Sequence, residues 1–304
     1  MIIAVASGKG GTGKTTVATS LALSIAAMDS QKATDPSVRP RNLLFLDCDV
    51  EEPNAALFLS PVLERGEQVG ILIPEVDYDR CTFCGRCAEV CVWHAIAVVG
   101  KKVLIFPELC HGCGSCTLNC PEGAIHEVLH VMGSLQSGRA GPISFGHGIL
   151  NVGEAMAVPI IRQLKTKHLA PLTPGNGVTI LDASPGTSCP VVETMRGADF
   201  VLLVTEPTPF GLHDLRLTVQ VARDELGLPL GVVINRDGVG DAGVDDYCTA
   251  EGIPILMRIP LDRRIAEAIS GGEALVEALP EYRPLFLELY KLIAREIVSW
   301  KEAR

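Results

Sequence analysis

The chain has 304 residues, 47% of them hydrophobic and 20% charged, with a formal net charge of −10; this suits one large α/β domain, alone or with a small module. The acidic balance argues against a function built on nucleic-acid phosphates, which call for a basic face. No apolar stretch reaches the length of a membrane span and no secretory pattern follows Met1, so a cytoplasmic location is expected, where thiols are kept reduced.

The first predicted element is a short buried strand over residues 2–6, followed by Ser7-Gly8-Lys9-Gly10-Gly11-Thr12-Gly13-Lys14-Thr15-Thr16 and a helical pattern from Val17. This is G-x-x-x-x-G-K-[ST] in the strand–loop–helix context that a phosphate-binding loop requires. The glycines let backbone N–H groups curl around phosphates, and the helix N-terminus adds partial positive charge. Lys14 would reach the β- and γ-phosphates and the Thr15 hydroxyl would ligate Mg2+. A second apolar strand, residues 42–46, ends in Asp47-Cys48-Asp49, where strand ends line the ligand crevice of an open parallel sheet.

Eleven cysteines in a reducing compartment need an explanation other than disulfides, and eight fall into two runs. Cys81, Cys84, Cys87 and Cys91 follow C-x2-C-x2-C-x3-C; Cys110, Cys113, Cys116 and Cys120 repeat it 29 residues later, and Ala95-Ile96 recurs as Ala124-Ile125 at the same offset. This is an internal duplication. Such spacing can aim three thiolates at three irons of one cubane and leaves the fourth ligand to come from elsewhere. Zinc would need only two pairs and does not account for a triple at each site. Residues 75–128 resemble bacterial two-cluster ferredoxins, with Val92 where that pattern has proline. The resemblance implies two 4Fe–4S clusters and a crossover: Cys81, Cys84, Cys87 and Cys120 around one, and Cys110, Cys113, Cys116 and Cys91 around the other.

Beyond the cysteines come a strand-like stretch at 142–145, a helix at 154–167, and a strand at 178–181 ending in Asp182-Ala183-Ser184-Pro185-Gly186. Strands at 200–205, 230–235 and 255–259 alternate with helical patterns at 212–226, 244–251 and 263–270, giving a parallel sheet covered by helices on both faces. The distance from Asn54 to Asp182 is too great for one βα connection. The ferredoxin-like part, residues 75–132, is therefore read as an insertion into a discontinuous domain of residues 1–74 and 133–304, with hinges at Ile73-Pro74 and Met132-Gly133. The last pattern, residues 282–300, is an amphipathic helix expected to pack on the sheet rather than touch a membrane.

With Lys9 directly before Gly10-Gly11, the loop resembles the deviant phosphate loop of the MinD, ParA and nitrogenase iron protein group; the alternative is a solvated lysine. The chain as a whole looks like MinD-superfamily P-loop ATPases that carry an inserted ferredoxin domain, and is similar to the Mrp-type cluster carriers. The resemblance implies an α/β P-loop NTPase fold with a small α+β module, ATP and Mg2+ as ligands, and an ATP-dependent homodimer or a heterodimer with a paralogue. It gives Lys9 a role at the partner subunit's nucleotide, Asp49 the attacking water, Asp182 a Walker B-like place, and Asp47 a metal-bound water. Asn235 would read adenine, with Pro260 to Asp262 closing over the base. The expected activity is ATP hydrolysis coupled to electron transfer toward a redox partner. Delivery of metal clusters to a client protein, or MinD-like positioning with structural clusters, are the alternatives. Cys189-Pro190-Val191-Val192 lacks the second thiol of the carriers' C-P-x-C pair, so Cys189 is expected to be buried and inert; Cys48 and Cys248 belong to no constellation.

Overall fold

The computed structural model describes residues 1–32, 42–64, 66–170 and 177–303. Its main sheet forms from β1 (Ile2–Ala6), β2 (Asn42–Asp47), β3 (Val62–Leu63), β4 (Glu67–Val76), β7 (Ile125–Ala140), β8 (Ile143–Leu150), β9 (Gly177–Asp182), β10 (Phe200–Thr205), β11 (Leu230–Asp237) and β12 (Ile255–Pro260), where β5 (Ile96–Val99) and β6 (Lys102–Ile105) make a separate hairpin. The order is β12-β11-β10-β1-β9-β2-β8-β7-β3, with β4 also paired to β7. From β12 to β8 every pairing is parallel; β7 runs antiparallel to β8, β3 and β4.

The central strands are near-continuous apolar runs because both faces are covered, as parallel sheets require. Ile3 and Val5 of β1 face one core, with α1 (Lys14–Lys32) and α11 (Arg283–Glu302); Ala4 and Ala6 face the other, with α5 (Val158–Leu169), α6 (Cys189–Met195), α7 (Pro209–Val219) and α8 (Gly243–Ala250). In α11, Phe286, Leu289, Ile293 and Ile297 recur at helical spacing and are all buried in the first core. The expected packing of that helix on the sheet is thus what the structure has. No described helix is long and apolar enough to cross a membrane.

Every loop that follows a parallel strand opens on the same edge of the sheet. At that edge Leu150, the last residue of β8, donates its N–H to Val50 O at 2.8 Å and lies opposite Gly133 of β7. Residues 125–132 of β7 continue past it, paired only with β4, as a two-stranded ribbon. At about 3.4 Å per residue the ribbon stands roughly 24 Å beyond the sheet edge. The positions expected to be hinges lie inside this ladder: Ile73 pairs with Val128, Pro74 with Glu127, and Gly133 with Val69. A paired antiparallel ribbon, not a flexible linker, therefore joins the two parts. Pro74 is tolerated because β4 has no partner on its other side.

At the ribbon's far end residues 77–124 hold the β5–β6 hairpin and two one-turn helices, α3 (Arg86–Glu89) and α4 (Ser115–Leu118). Their buried core is small: Ile96, Val103, Cys116 and the ribbon's Ile125 cluster together, and Ala95, Cys110 and Ala124 are also buried.

Candidate functional site

The loop between β1 and α1 borders a cleft of about 340 Å3, which residues 9–16, Asp49, Asn54, Pro185, Asn235, Arg236 and residues 260–262 line. The helix begins at Lys14 rather than Val17, so Thr15 and Thr16 sit in its first turn, where free N–H groups point at the cleft. Gly13 has φ +89°, and a Cβ there would collide with the Asn235 side chain, so the loop can take this path only with glycine.

Lys14 Nζ lies 2.9 Å from Asp182 Oδ1, and both side chains are buried. Burial works against the charge of Lys14, but the carboxylates of Asp182, Asp49 and Asp47 outweigh it and hold the ammonium above its ordinary value. The second oxygen of Asp182, Oδ2, is buried without a hydrogen-bond partner among the described residues. Asp49 lines the cleft; burial raises its carboxyl, against the opposing pull of Lys14. Asp47 does not reach the cleft lining. Its Oδ1 accepts from Asp49 N at 3.1 Å and its Oδ2 from Ala55 N at 2.9 Å, so it shapes the loop that carries Asp49. Burial and the neighbouring Asp182 push Asp47 up to about 8.

Across the cleft, Asn235 Nδ2 donates to Thr12 O at 2.7 Å, and Asn235 Oδ1 accepts from Arg236 N at 2.9 Å. Asp262 caps α9 (Arg263–Ser270), accepting from Arg264 N at 2.9 Å, and so fixes the Pro260–Asp262 turn at the rim. Lys9 Nζ meets Glu206 Oε2 at 3.1 Å, and Arg236 pairs with Glu206 Oε1. Sequence reasoning missed Glu206 and Arg236. The signal was there in their position, each at the C-terminal end of a parallel strand beside the crevice.

The eight patterned cysteines gather around two separate cavities. One is lined by Cys81, Cys84, Cys87 and Cys120, the other by Cys91, Cys110, Cys113 and Cys116. Each thus takes three thiols from one run and the fourth from the other run. The duplication persists in detail: Gly85 and Gly114 both precede a one-turn helix with positive φ, and Ala95 N and Ala124 N donate to Cys91 Sγ and Cys120 Sγ at 3.2 and 3.3 Å. Leu72, Pro74 and Glu127 of the ribbon line the second cavity, while Val76 and Ile125 line the first, which is therefore farther out. Among the described residues no three His, Cys, Asp or Glu side chains close around a point fit for a single metal ion.

The remaining thiols divide. Cys48 and Cys248 are buried, and burial pushes their thiols up to about 12 and about 11. Cys189 is exposed at the start of α6, which corrects the expectation of a buried side chain: Pro190 fixes the first turn, and the apolar side of this short helix is carried by Val191 and Met195 instead.

A parallel sheet whose first strand delivers a G-x-x-x-x-G-K-T loop to a helix N-terminus, flanked by acids at the neighbouring strand ends, defines a P-loop NTPase. A sequence profile for the CobQ/CobB/MinD/ParA nucleotide binding domain matches residues 3–276, and the chain belongs to that family. An uncharacterized protein of Methanocaldococcus jannaschii is 30% identical over 91% of this chain and 92% of its own length. An iron-sulfur cluster carrier protein of Aquifex aeolicus is 26% identical over 46% of this chain and 43% of its own. The septum site-determining protein MinD of Pyrococcus horikoshii, solved with Mg-ADP, shares the fold with a TM-score of 0.55 and 19% identity over 95% of this chain and 93% of that one.

Proposed function

We propose that the chain is an ATPase that pairs with a second copy when ATP is bound, and that this switch is coupled to electron transfer through two 4Fe–4S clusters held in a ferredoxin-like module. The module comprises residues 75–132, inserted into an ATPase domain of residues 1–74 and 133–304. The observation that carries this reading is the crossover of the cysteines, with four thiols at each cavity and the fourth supplied by the other run. That donor set matches a cubane, in which each thiolate serves its own iron, rather than one ion shared by all four. The small core points the same way, since the buried apolar residues, Ala95, Ile96, Val103, Cys110, Cys116, Ala124 and Ile125, include two alanines and two of the patterned cysteines and are few to hold about 50 residues together without a staple. Bound clusters supply one-electron chemistry.

The nucleotide site has a role for each of its groups. Residues 8–16 cradle the phosphates with backbone N–H groups, and Lys14, kept charged by Asp182, neutralises the β- and γ-phosphates. Thr15 would supply the hydroxyl ligand for Mg2+, and the buried Asp182 Oδ2, left without a partner among the described residues, is an acceptor that the ion's site would use. Asp49 orients the attacking water, with Asp47 fixing its loop from behind. Lys9 reaches the nucleotide of the facing copy. Asn235 and the Pro260–Asp262 turn border the base.

Anaerobically purified protein should contain about eight irons per chain and bind ATP, and Lys14→Ala should weaken that binding roughly 10- to 100-fold. Exposure of the iron to a chelator, and the midpoint of its reduction, should differ between a non-hydrolysable ATP analogue and ADP. Eight irons with no nucleotide binding, or cluster behaviour identical in both nucleotide states, rejects the coupling. A second reading, delivery of clusters to a client, is favoured by the exposure of Cys84 and Cys113 and by the likeness to the Aquifex carrier. Iron that moves to an apo-acceptor on ATP addition decides for it.

A further inference from the structure

Two cations that border the cleft share one carboxylate. Glu206 is the first residue after β10 and is 6% exposed. Its Oε2 holds Lys9 Nζ at 3.1 Å, and its Oε1 holds Arg236. Lys9 belongs to the phosphate loop. Arg236 stands at the end of β11 in a left-handed conformation, φ +55°, beside the Asn235 amide that grips Thr12 O. One buried charge therefore fastens both walls of the cleft.

The exposures of the three partners differ in a useful way. The Lys9 side chain is 33% exposed and that of Arg236 50%, whereas the carboxylate between them is 8% exposed. A buried carboxylate left with no counter-ion is strongly unfavourable, so a single cation paired with it is hard to remove. With two cations, one can leave and the other still neutralises the site. Both cations line the cleft, but Arg236 is carried by a strand of the sheet, whereas Lys9 is carried by the phosphate loop, the element that the proposed pairing presents to a facing copy.

We propose that Glu206 is the positioning residue for Lys9. In the unpaired chain it parks the ammonium within its own subunit; phosphate charge on a facing copy competes for that ammonium, and Arg236 stays behind as the counter-ion. Glu206 thereby sets the protein concentration at which nucleotide-driven pairing begins. This rests on the reading that Lys9 acts at the nucleotide of the facing copy.

Sedimentation of the full anaerobic holoprotein against concentration, with ADP or a non-hydrolysable ATP analogue, tests it. Glu206→Gln keeps the shape but removes the charge, and should lower the pairing midpoint with the ATP analogue roughly tenfold while leaving the ADP form unpaired. Glu206→Asp withdraws the charge by one methylene and should shift the midpoint the same way by less. Arg236→Ala leaves Lys9 as the lone counter-ion and should raise the midpoint. A merely structural ion pair would instead move Glu206→Gln and Arg236→Ala in the same direction. Lys9→Ala should abolish pairing. If it does so while Glu206→Gln and Glu206→Asp leave the midpoint unchanged or raise it, the latch is wrong and the role of Lys9 stands. If Lys9→Ala pairs normally, the underlying role of Lys9 fails. Should Glu206→Gln not fold, Glu206→Asp and Arg236→Ala still give the two opposite shifts that the latch requires.

Discussion

Asp47 shows how a strand-end acid can serve the site without facing it. Its carboxyl rises to about 8 through burial and the neighbouring Asp182 charge, against an ordinary value near 3.9 in an unfolded chain. Over the interval between those values the folded form holds a proton that the unfolded form gives up. The stabilisation is thus fully present below about pH 4 and is lost as pH rises through about 8. Nucleotide-free protein should therefore lose thermal stability between pH 5 and pH 8 more steeply than Asp47→Asn does, and equal slopes in a pH series of melting curves would refute this. The phosphate loop, Asp49 and Asp182 were legible because each sits in a pattern of short range. Glu206 and Arg236 were missed: their strand-end positions mark them as neighbours of the crevice, but a lone acid and a lone base 30 positions apart do not announce their pairing until β10 and β11 lie side by side. Cys189 was misjudged because exposure on a seven-residue helix depends on which way its first turn faces.

The ribbon made by β4 and β7 is the element that sequence reasoning read least well. The sequence suggests hinges at Ile73-Pro74 and Met132-Gly133 rather than strands, because pairing between residues about 55 positions apart leaves no local trace and Pro74 interrupts the alternation. The structure makes it a stiff connector. Two bonds grip its base: Asn151 N donates to Met132 O at 2.8 Å, and Gln163 Nε2 to Gly70 O at 2.7 Å. At Gly70 the register shifts by a bulge, and a Cβ would overlap His130 O of the opposite strand. Gly70→Ala should therefore destabilise the protein by about 1–3 kcal/mol, measured by denaturant unfolding, and should detach changes at Asp49 from changes at the cysteines. An unaltered midpoint would show that the bulge absorbs the methyl group.

At the scale of the whole molecule, the alternation of strands and helices implies the layered sheet, and the 29-residue duplication marks out the cysteine-bearing segment. What no pattern disclosed was the side of the sheet from which that segment rises, because this follows from β7 being antiparallel to β8. The terminal helix was read correctly from its apolar spacing. Phe286 is fully buried in the first core and is the largest of the helix's buried side chains, and Phe286→Ala should cost about 3–5 kcal/mol in chemical denaturation; a loss under about 1 kcal/mol would mean that the helix is dispensable to the core.

The ribbon's length has a mechanical consequence. An arm of roughly 24 Å tilting at its base, where Asn151 N donates to Met132 O, turns a tilt of about 10° into a sweep of about 4 Å at its tip. On the proposed coupling, small rearrangements around a phosphate would become strides at the thiols, and any hand-over that depends steeply on distance would be timed from the far end of the lever.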